Sequence, residues 1–462
     1  MSRTETKKLF GTDGVRSVAG QYPLDEKTVG LIGQSLTMNL TGELGRKPRI
    51  IIGRDTRESG PEIERWIADG ATARGAQVES AGVITTPGVA YITRIAGFDA
   101  GIVISASHNP YRDNGIKIFS PSGKKLDDRM ERRIEEDLQE WRANSSGGDK
   151  KESSVNERSN LQIADSERYI ESYLAYLAED VARGVRLDGI RLAIDCANGA
   201  ASAIAPELFK RLGASVEVLS ASPDGKNINE QCGSLHTENL QKTVLDLGLD
   251  LGIAFDGDAD RALFVDGNGV LIDGDYVLLI LAENMKSKGA LAKETVVATV
   301  MSNIGLELAF RERKIELIRA QVGDRYVLEE LLARGASLGG EQSGHIIFPS
   351  ISLAGDGLIT AIEVLRAVKD SGRTLAELGS RLTKYPQVLI NVRVRSKPKL
   401  ETLPDVASEV EQIEKQLEGR GRLLVRYSGT ENLARVMIEG ENQNKIEEQA
   451  RRLAGVIERA IG

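Results

Sequence analysis

The sequence predicts an α/β protein of several domains, with three α/β units followed by a smaller C-terminal α+β domain. Three observations carry this expectation. The 462 residues exceed what one hydrophobic core usually serves. Short apolar runs of strand length alternate with amphipathic helix-length segments over roughly the first 380 residues, the pattern of layered α/β units. Beyond Tyr385-Pro386 the pattern changes to alternating runs of the antiparallel kind.

Strands are expected at 49–52, 101–104, 191–194, 252–255 and 295–300. A helix start is legible at Ser59-Gly60-Pro61-Glu62. There Ser59 can cap the first amides and Glu62 can complete a capping box, with Ile63, Trp66, Ile67 and Ala71 following on one face. Residues 144–160 are polar with Val155 as the single aliphatic side chain, so they read as a linker or exposed loop. Two further boundaries are placed just after Asp260 and near Tyr385. The expected domains are 1–155, 156–260, 261–380 and 381–462. In the last of these, 388–394 and 423–426 read as strands, and Ile446, Ala450, Leu453 and Ile457 line one face of a docked helix.

The formal net charge of −8 disfavours general binding to nucleic acid or an acidic membrane, so any anion must be held by local arginines and lysines. Cys196 and Cys232 lie in no metal-binding spacing and read as ordinary thiols of a reducing compartment. No apolar run is long enough to span a bilayer, and residues 1–8 lack the apolar core of a secretion signal. A cytoplasmic location is expected.

Four motifs carry chemistry. Asp256-Gly257-Asp258-Ala259-Asp260-Arg261 follows an apolar run, and its alternating carboxylates can converge on one hard cation such as Mg²⁺. Without a cation the three carboxylates would repel one another. An EF-hand is excluded, because its turn glycine would fall at Arg261 and its closing glutamate at Gly267. Ser105-Ala106-Ser107-His108-Asn109-Pro110 presents Ser107 on a loop at a strand end, where a base or metal can activate the hydroxyl. No G-x-S-x-G elbow surrounds it. Arg426-Tyr427-Ser428-Gly429-Thr430-Glu431, with Arg435 beyond, offers guanidiniums, hydroxyls and open amides to a phosphate dianion. Gly340-Glu341-Gln342-Ser343-Gly344-His345 is a polar turn able to hydrogen-bond sugar hydroxyls. Taken singly, only the aspartate motif outweighs its bland alternative, a solvated turn. No Walker A sequence is present, which disfavours a nucleotide-driven kinase.

Together, in this order, the motifs resemble those of the α-D-phosphohexomutases over essentially the whole chain. The chain looks most like the bacterial phosphoglucosamine mutase branch. Pointers to that branch are Phe10-Gly11-Thr12-Asp13-Gly14-Val15-Arg16, Asp113-Asn114-Gly115-Ile116-Lys117, Asn227-Ile228-Asn229, Cys232-Gly233-Ser234, Met301-Ser302-Asn303 and Val322-Gly323-Asp324-Arg325-Tyr326. Ser17, Ala354 and Asn432 depart from the usual pattern and remove no group with an assigned role.

The resemblance implies four domains around a central cleft, three of them sharing an α/β core with mixed sheets. It implies that Ser107 carries phosphate. One Mg²⁺ per chain would be held by Asp256, Asp258, Asp260 and an oxygen of the Ser107 phosphate, steadied by Arg261. Arg16 and His108 would lie near that phosphate. Glu341 and Ser343 would contact sugar hydroxyls, while Arg426, Ser428, Gly429, Thr430 and Arg435 would clasp the idle phosphate. Lys117 and His345 are both candidates for proton transfer or phosphate contact. The implied reaction interconverts glucosamine 6-phosphate and glucosamine 1-phosphate, with a sugar 1,6-bisphosphate as intermediate and activator. The partner is a small hexose phosphate, with neither nucleic acid nor membrane; a homodimer is compatible with the residues. Three alternatives stay open: a phosphomannomutase/phosphoglucomutase, a phosphatase using Asp256 as nucleophile, and an inactive sugar-phosphate sensor.

Overall fold

The computed structural model describes residues 9–11, 13–145, 166–428 and 432–462. Its first sheet holds β1 (Val15–Val18), β2 (Arg49–Arg54), β3 (Gln77–Val83), β4 (Ala100–Ile104) and β5 (Asp113–Phe119), in the order β1-β5-β4-β2-β3. β2 runs parallel to β3 and β4, whereas β5 turns back antiparallel on β4 and β1 on β5. Ile50, Ile51, Ile52, Ile102, Val103 and Ile104 are all buried, which is why the central strands read as unbroken apolar runs rather than alternating ones.

The second sheet repeats this plan with β6 (Arg191–Asp195), β7 (Ser215–Leu219), β8 (Leu251–Phe255), β9 (Ala262–Asp266) and β10 (Leu271–Ile272), ordered β10-β9-β8-β6-β7. Again the first strand is parallel to the next two, and the fourth turns back antiparallel. The third sheet holds β11 (Thr295–Thr299), β12 (Glu316–Ala320), β13 (Gly339–Gly340) and β14 (Ile346–Ile347), ordered β12-β11-β13-β14. β13 is parallel to β11, and β14 turns back antiparallel on it. All three sheets therefore contain the same exit, a parallel strand that turns over and returns antiparallel. Ser107, the three aspartates, and Glu341 to His345 occupy those three exits.

The chain separates into two compact units, residues 1–300 with 318–379, and residues 301–317 with 380–462. The second unit carries β15 (Gln387–Arg393), β16 (Arg422–Tyr427) and β17 (Leu433–Glu439), ordered β15-β17-β16 and wholly antiparallel. Its core combines Val406 and Ile413 of one helix with Val436, Ile438, Leu453 and Ile457. The closing helix Gln443–Ile461 is capped by Asn442 and buries Ile446, Ala450, Leu453 and Ile457, the face read from the sequence. The helix Ile304–Glu312 belongs to this unit. Its cap residue Asn303 donates to Tyr385 O at 2.9 Å, and Ile304 N donates to Glu439 Oε2 at 3.1 Å.

Three local expectations are revised. The second sheet continues past the boundary placed after Asp260, because the aspartate loop joins two paired strands rather than ending a domain. Ser59 makes no capping bond: its backbone is helical, and its Oγ instead accepts from Asn114 Nδ2 at 2.9 Å. Of the linker read at 144–160, the first two residues close the helix Asp128–Ser145, and the remainder lies outside the described residues.

Within the first unit, Tyr173 on the helix Ser166–Ala175 donates its hydroxyl to Asp356 Oδ2 at 2.5 Å. Asp356 also caps the helix Gly357–Ser371, accepting from Leu358 N and Ile359 N at 2.9 and 3.1 Å. Burial pushes the Asp356 carboxyl up to about 6, against the hydrogen bonds that favour the anion. Its folded-state value exceeds its unfolded value, so the stability it contributes is complete below pH 4 and lost as pH rises through about 6. Asp356→Asn should therefore gain on the wild type, by up to about 3 kcal/mol, between pH 4 and pH 7. Denaturant unfolding of both proteins across that range checks it; a pH-independent difference would refute it.

Candidate active site

Three of the sequence motifs meet inside the first unit. Ser107 is buried, and its Oγ donates to Asp256 Oδ2 at 2.6 Å. The carboxylates of Asp256, Asp258 and Asp260 are buried too and offer ligand oxygens all within 4.8 Å of one another. Gly257 permits this approach, since a Cβ there would stand 2.6 Å from Ser107 O. Ser107 itself has φ +54, a left-handed backbone that costs a serine about 1–2 kcal/mol and persists only where surroundings impose it.

Those surroundings are polar and buried. Asp55, at the end of β2, accepts from Ser105 Oγ at 2.6 Å, and Ser105 Oγ accepts from Ser107 N at 2.9 Å. Arg57, fully buried, pairs with Asp55 at 2.9 Å and donates to the carbonyls of Ser107, Asn109, Pro110 and Asp113. Neither Asp55 nor Arg57 was singled out by sequence, because an Asp-x-Arg after a strand looks like any polar turn.

Crowding raises Asp256 well above the usual carboxylate range: burial is the main cause, then the charges of Asp260 and Asp258. Lys117 supplies the chief counter-charge. Its Nζ lies 2.8 Å from Asp258 Oδ2, 3.3 Å from Asp260 Oδ2 and 3.4 Å from Asp13 Oδ2. Burial opposes its charge, yet Asp13, Asp258 and Asp260 outweigh burial and hold the ammonium well above its usual range. The ion pairs continue from Asp13 to Lys125, from Lys125 to Asp324 at 2.6 Å, from Asp324 to His345 at 3.7 Å and from His345 to Asp260 at 3.6 Å. Lys117, Asp13, Lys125, Asp324, His345 and Asp260 thus close a ring of alternating charge. Burial works against the His345 imidazolium, but Asp260, Asp324 and Glu341 lift it to about 8. Gly355 lets the backbone lie against that ring, since a Cβ would come within 2.3 Å of His345 Nε2.

His108 behaves oppositely. Burial and the charges of Arg261 and Arg16 bring it down to about 4, so the ring is neutral. Its Nδ1 stands 3.2 Å from both Ser107 Oγ and Arg261 Nη1, and a guanidinium can only donate, so Nδ1 accepts from Arg261. Arg16 reaches Asn109 Oδ1 at 3.4 Å and pairs with Asp13. Glu341 Oε1 accepts from Gly323 N at 3.0 Å, and Ser343 Oγ lies 3.4 Å from Glu341 Oε2. Thr86, also missed by sequence, bonds Asp258 Oδ2 through its hydroxyl at 2.6 Å.

The aspartates fit a hard divalent cation. Asp258 Oδ1 and Asp260 Oδ1 are buried with no hydrogen-bond partner, and all the donors are oxygens. In the second unit, Arg426 and Arg435 stand directly opposite each other on β16 and β17. Burial and Arg435 lower the Arg426 value, so an anion here would relieve like-charge repulsion. Ser428 is buried beside them, whereas Gly429 and Thr430 lie outside the described residues.

Family models for phosphoglucomutase/phosphomannomutase match the chain end to end. Alpha/beta/alpha domains I, II and III correspond to residues 7–145, 167–269 and 273–385, and the C-terminal domain to 389–456. A phosphoglucosamine mutase of Solibacter usitatus is 50% identical over 456 residues, 99% of each chain. One from Deinococcus radiodurans is 46% identical over 456 residues, 98% of each. The chain belongs to the α-D-phosphohexomutases. Within that family it is most like the phosphoglucosamine mutases, and it is an isomerase, a hexosamine-phosphate mutase. Solved structures share this phosphohexomutase fold. A phosphoglucomutase/phosphomannomutase family protein of Burkholderia thailandensis superimposes with TM-score 0.77 at 22% identity, covering 98% of each chain. An N-acetylphosphoglucosamine mutase of Aspergillus fumigatus, in complex with GlcNAc-6P and magnesium, gives 0.67 at 18%, covering 100% of this chain and 97% of that one. Among the described residues no helix is long and apolar enough to cross a membrane.

Lys117→Met tests the charge balance of this phosphohexomutase without reference to turnover. Removing one partner of a buried ion pair typically costs about 3–5 kcal/mol. The variant's Tm in chelator should fall, and added Mg²⁺ should raise it further than it raises the wild type. Equal Mg²⁺-induced shifts in a calorimetric scan would show that lysine and cation do not share the carboxylates.

Proposed function

We propose that this phosphohexomutase interconverts glucosamine 6-phosphate and glucosamine 1-phosphate through a phosphoserine at position 107. The observation that supports this most directly is the 2.6 Å contact between Ser107 Oγ and Asp256, which brings the serine hydroxyl against the aspartate triad. When bound, one Mg²⁺ would offset charge on the phosphoryl group in transit. Asp256, Asp258 and Asp260 would hold it, together with an oxygen of the Ser107 phosphate.

In the forward direction the substrate's free O1 attacks phosphorus, the bond from phosphorus to Ser107 Oγ breaks, and the O1 proton passes to Lys117 or His345 in its neutral form, each of which must first release the proton it holds at rest. The resulting 1,6-bisphosphate turns around, and its 6-phosphoryl group returns to Ser107 Oγ while O6 takes up a proton. Arg261 and Arg16 orient the phosphate on the serine, and neutral His108 keeps Arg261 aimed at it. Glu341 and Ser343 contact sugar hydroxyls. Arg426, Ser428, Gly429, Thr430 and Arg435 grip the phosphate that is not reacting, so one clasp serves both sugar orientations. Exclusion of water protects the phosphoenzyme from hydrolysis. The product would feed amino-sugar nucleotide and cell-wall precursor synthesis in the cytoplasm.

Two measurements test this reading. Incubation with glucose 1,6-bisphosphate should add one phosphoryl group to the intact mass, mapped by peptide sequencing to Ser107, and Ser107→Ala should lose at least about 10³-fold in kcat. Phosphate on Ser105, or an acid-labile acyl phosphate on Asp256, would overturn the assignment. Turnover of glucosamine, glucose and mannose 6-phosphates side by side should favour the amino sugar in kcat/KM; a preference for mannose or glucose would select the phosphomannomutase/phosphoglucomutase alternative.

A further inference from the structure

Two side chains from different α/β units hold the same pair of carbonyl oxygens. Arg57 Nη2 donates to Ser107 O at 3.0 Å and to Asn109 O at 2.8 Å. Asn229 Nδ2 donates to those same oxygens at 2.9 and 3.1 Å. Each carbonyl has two lone pairs, so the two donors together saturate both. We propose that Asn229 is a positioning residue for phosphoryl transfer, tying the serine loop to the unit that carries the three aspartates. The inference rests on Ser107 being the phosphoryl carrier.

The geometry makes Asn229 more than a space filler. Both of its partners are carbonyls, so its amide must present NH₂ rather than oxygen, and the orientation is dictated by the network. Its own backbone is held in place. Asn229 has φ +59, its N–H donates to Ala197 O at 2.9 Å, and the neighbouring Ile228 is buried. Gly257 is where the two loops touch. A Cβ there would come within 2.6 Å of Ser107 O, 2.8 Å of Ile228 Cδ1 and 2.9 Å of Asn229 Nδ2. Arg57 anchors the serine loop to its own sheet and says nothing about the aspartates. Asn229 comes from the segment after β7, beside the aspartate loop, so its two bonds set where Ser107 stands relative to Asp256. They also help hold Ser107 in a left-handed backbone it would otherwise leave.

Two variants separate this role from packing. Asn229→Gly removes the side chain without straining a left-handed residue. Asn229→Asp keeps the shape but replaces the donor with an acceptor facing two carbonyls. Loss of alignment should lower kcat about 10- to 100-fold in the glycine variant, and further in the aspartate variant, with KM within about twofold. Phosphorylation of Ser107 by glucose 1,6-bisphosphate, followed by rapid quench and intact mass, should slow by the same factor. The Tm of the glycine variant should stay within a few degrees of wild type, because Arg57 keeps its bonds. Wild-type kcat and phosphorylation rate in Asn229→Gly would overturn the inference. So would a large fall in Tm with kcat and KM worsening together, which marks a structural role only. If wild-type Ser107 takes up no phosphate, the carrier reading fails instead, and the two failures are told apart on the same gel-purified samples.

Discussion

The centre of this molecule is organised around the cost of burying three carboxylates in one place. Asp256, Asp258 and Asp260 are each essentially removed from water. Such a cluster is intolerable unless positive charge is brought to it or protons are kept on it. The chain does both: Lys117 is buried against Asp258 and Asp260, and Asp256 is held toward its protonated form. The counter-charge is itself buried and needs partners, so the ring through Asp13, Lys125, Asp324 and His345 follows from the same constraint. Breaking such a ring at one member leaves its neighbours unpaired, and that ties the N-terminal motif to all three α/β units. The two Asp oxygens left without hydrogen bonds are where a cation could complete the balance.

One backbone device supplies the chemistry three times. In each α/β sheet a parallel strand ends, the chain turns, and the next strand returns antiparallel. Side chains on such a turn stand at the carboxyl ends of the parallel strands, where open α/β sheets leave room for ligands. The first turn holds a serine hydroxyl, the second a cluster of carboxylates, the third a carboxylate, a hydroxyl and an imidazole. Repetition of the sheet therefore delivers three different functional groups with a common presentation.

Electrostatic contrast also sorts the two site histidines. His108 faces Arg261 and Arg16 and is held neutral, so it can accept a hydrogen bond from a guanidinium. His345 faces Asp260 and Asp324 and is held toward its charged form, although it is more deeply buried than His108. Neither behaviour follows from the residue type.

Sequence alone determined much of this protein. Strands at 49–52, 101–104, 191–194 and 252–255 were legible because a strand buried on both faces must be continuously apolar, a local property of the chain. The triad was legible because alternating carboxylates after such a strand have few uses besides a cation. What only the tertiary structure decided is who answers those charges. Arg57, Thr86 and Lys125 look ordinary where they stand in the chain, while Asp13, Asn229 and Asp324 sit in motifs that carry the resemblance but carried no assigned role. Several of their decisive pairings join distant segments, such as Arg57 with Ser107, 50 residues apart, and Thr86 with Asp258, 172 apart. The extent of the second α/β unit was likewise hidden, since the pairing of β8 with β9 across the aspartate loop is a contact rather than a composition. Burial patterns are written in local periodicity, whereas the compensation of buried charge is settled only when distant segments pack.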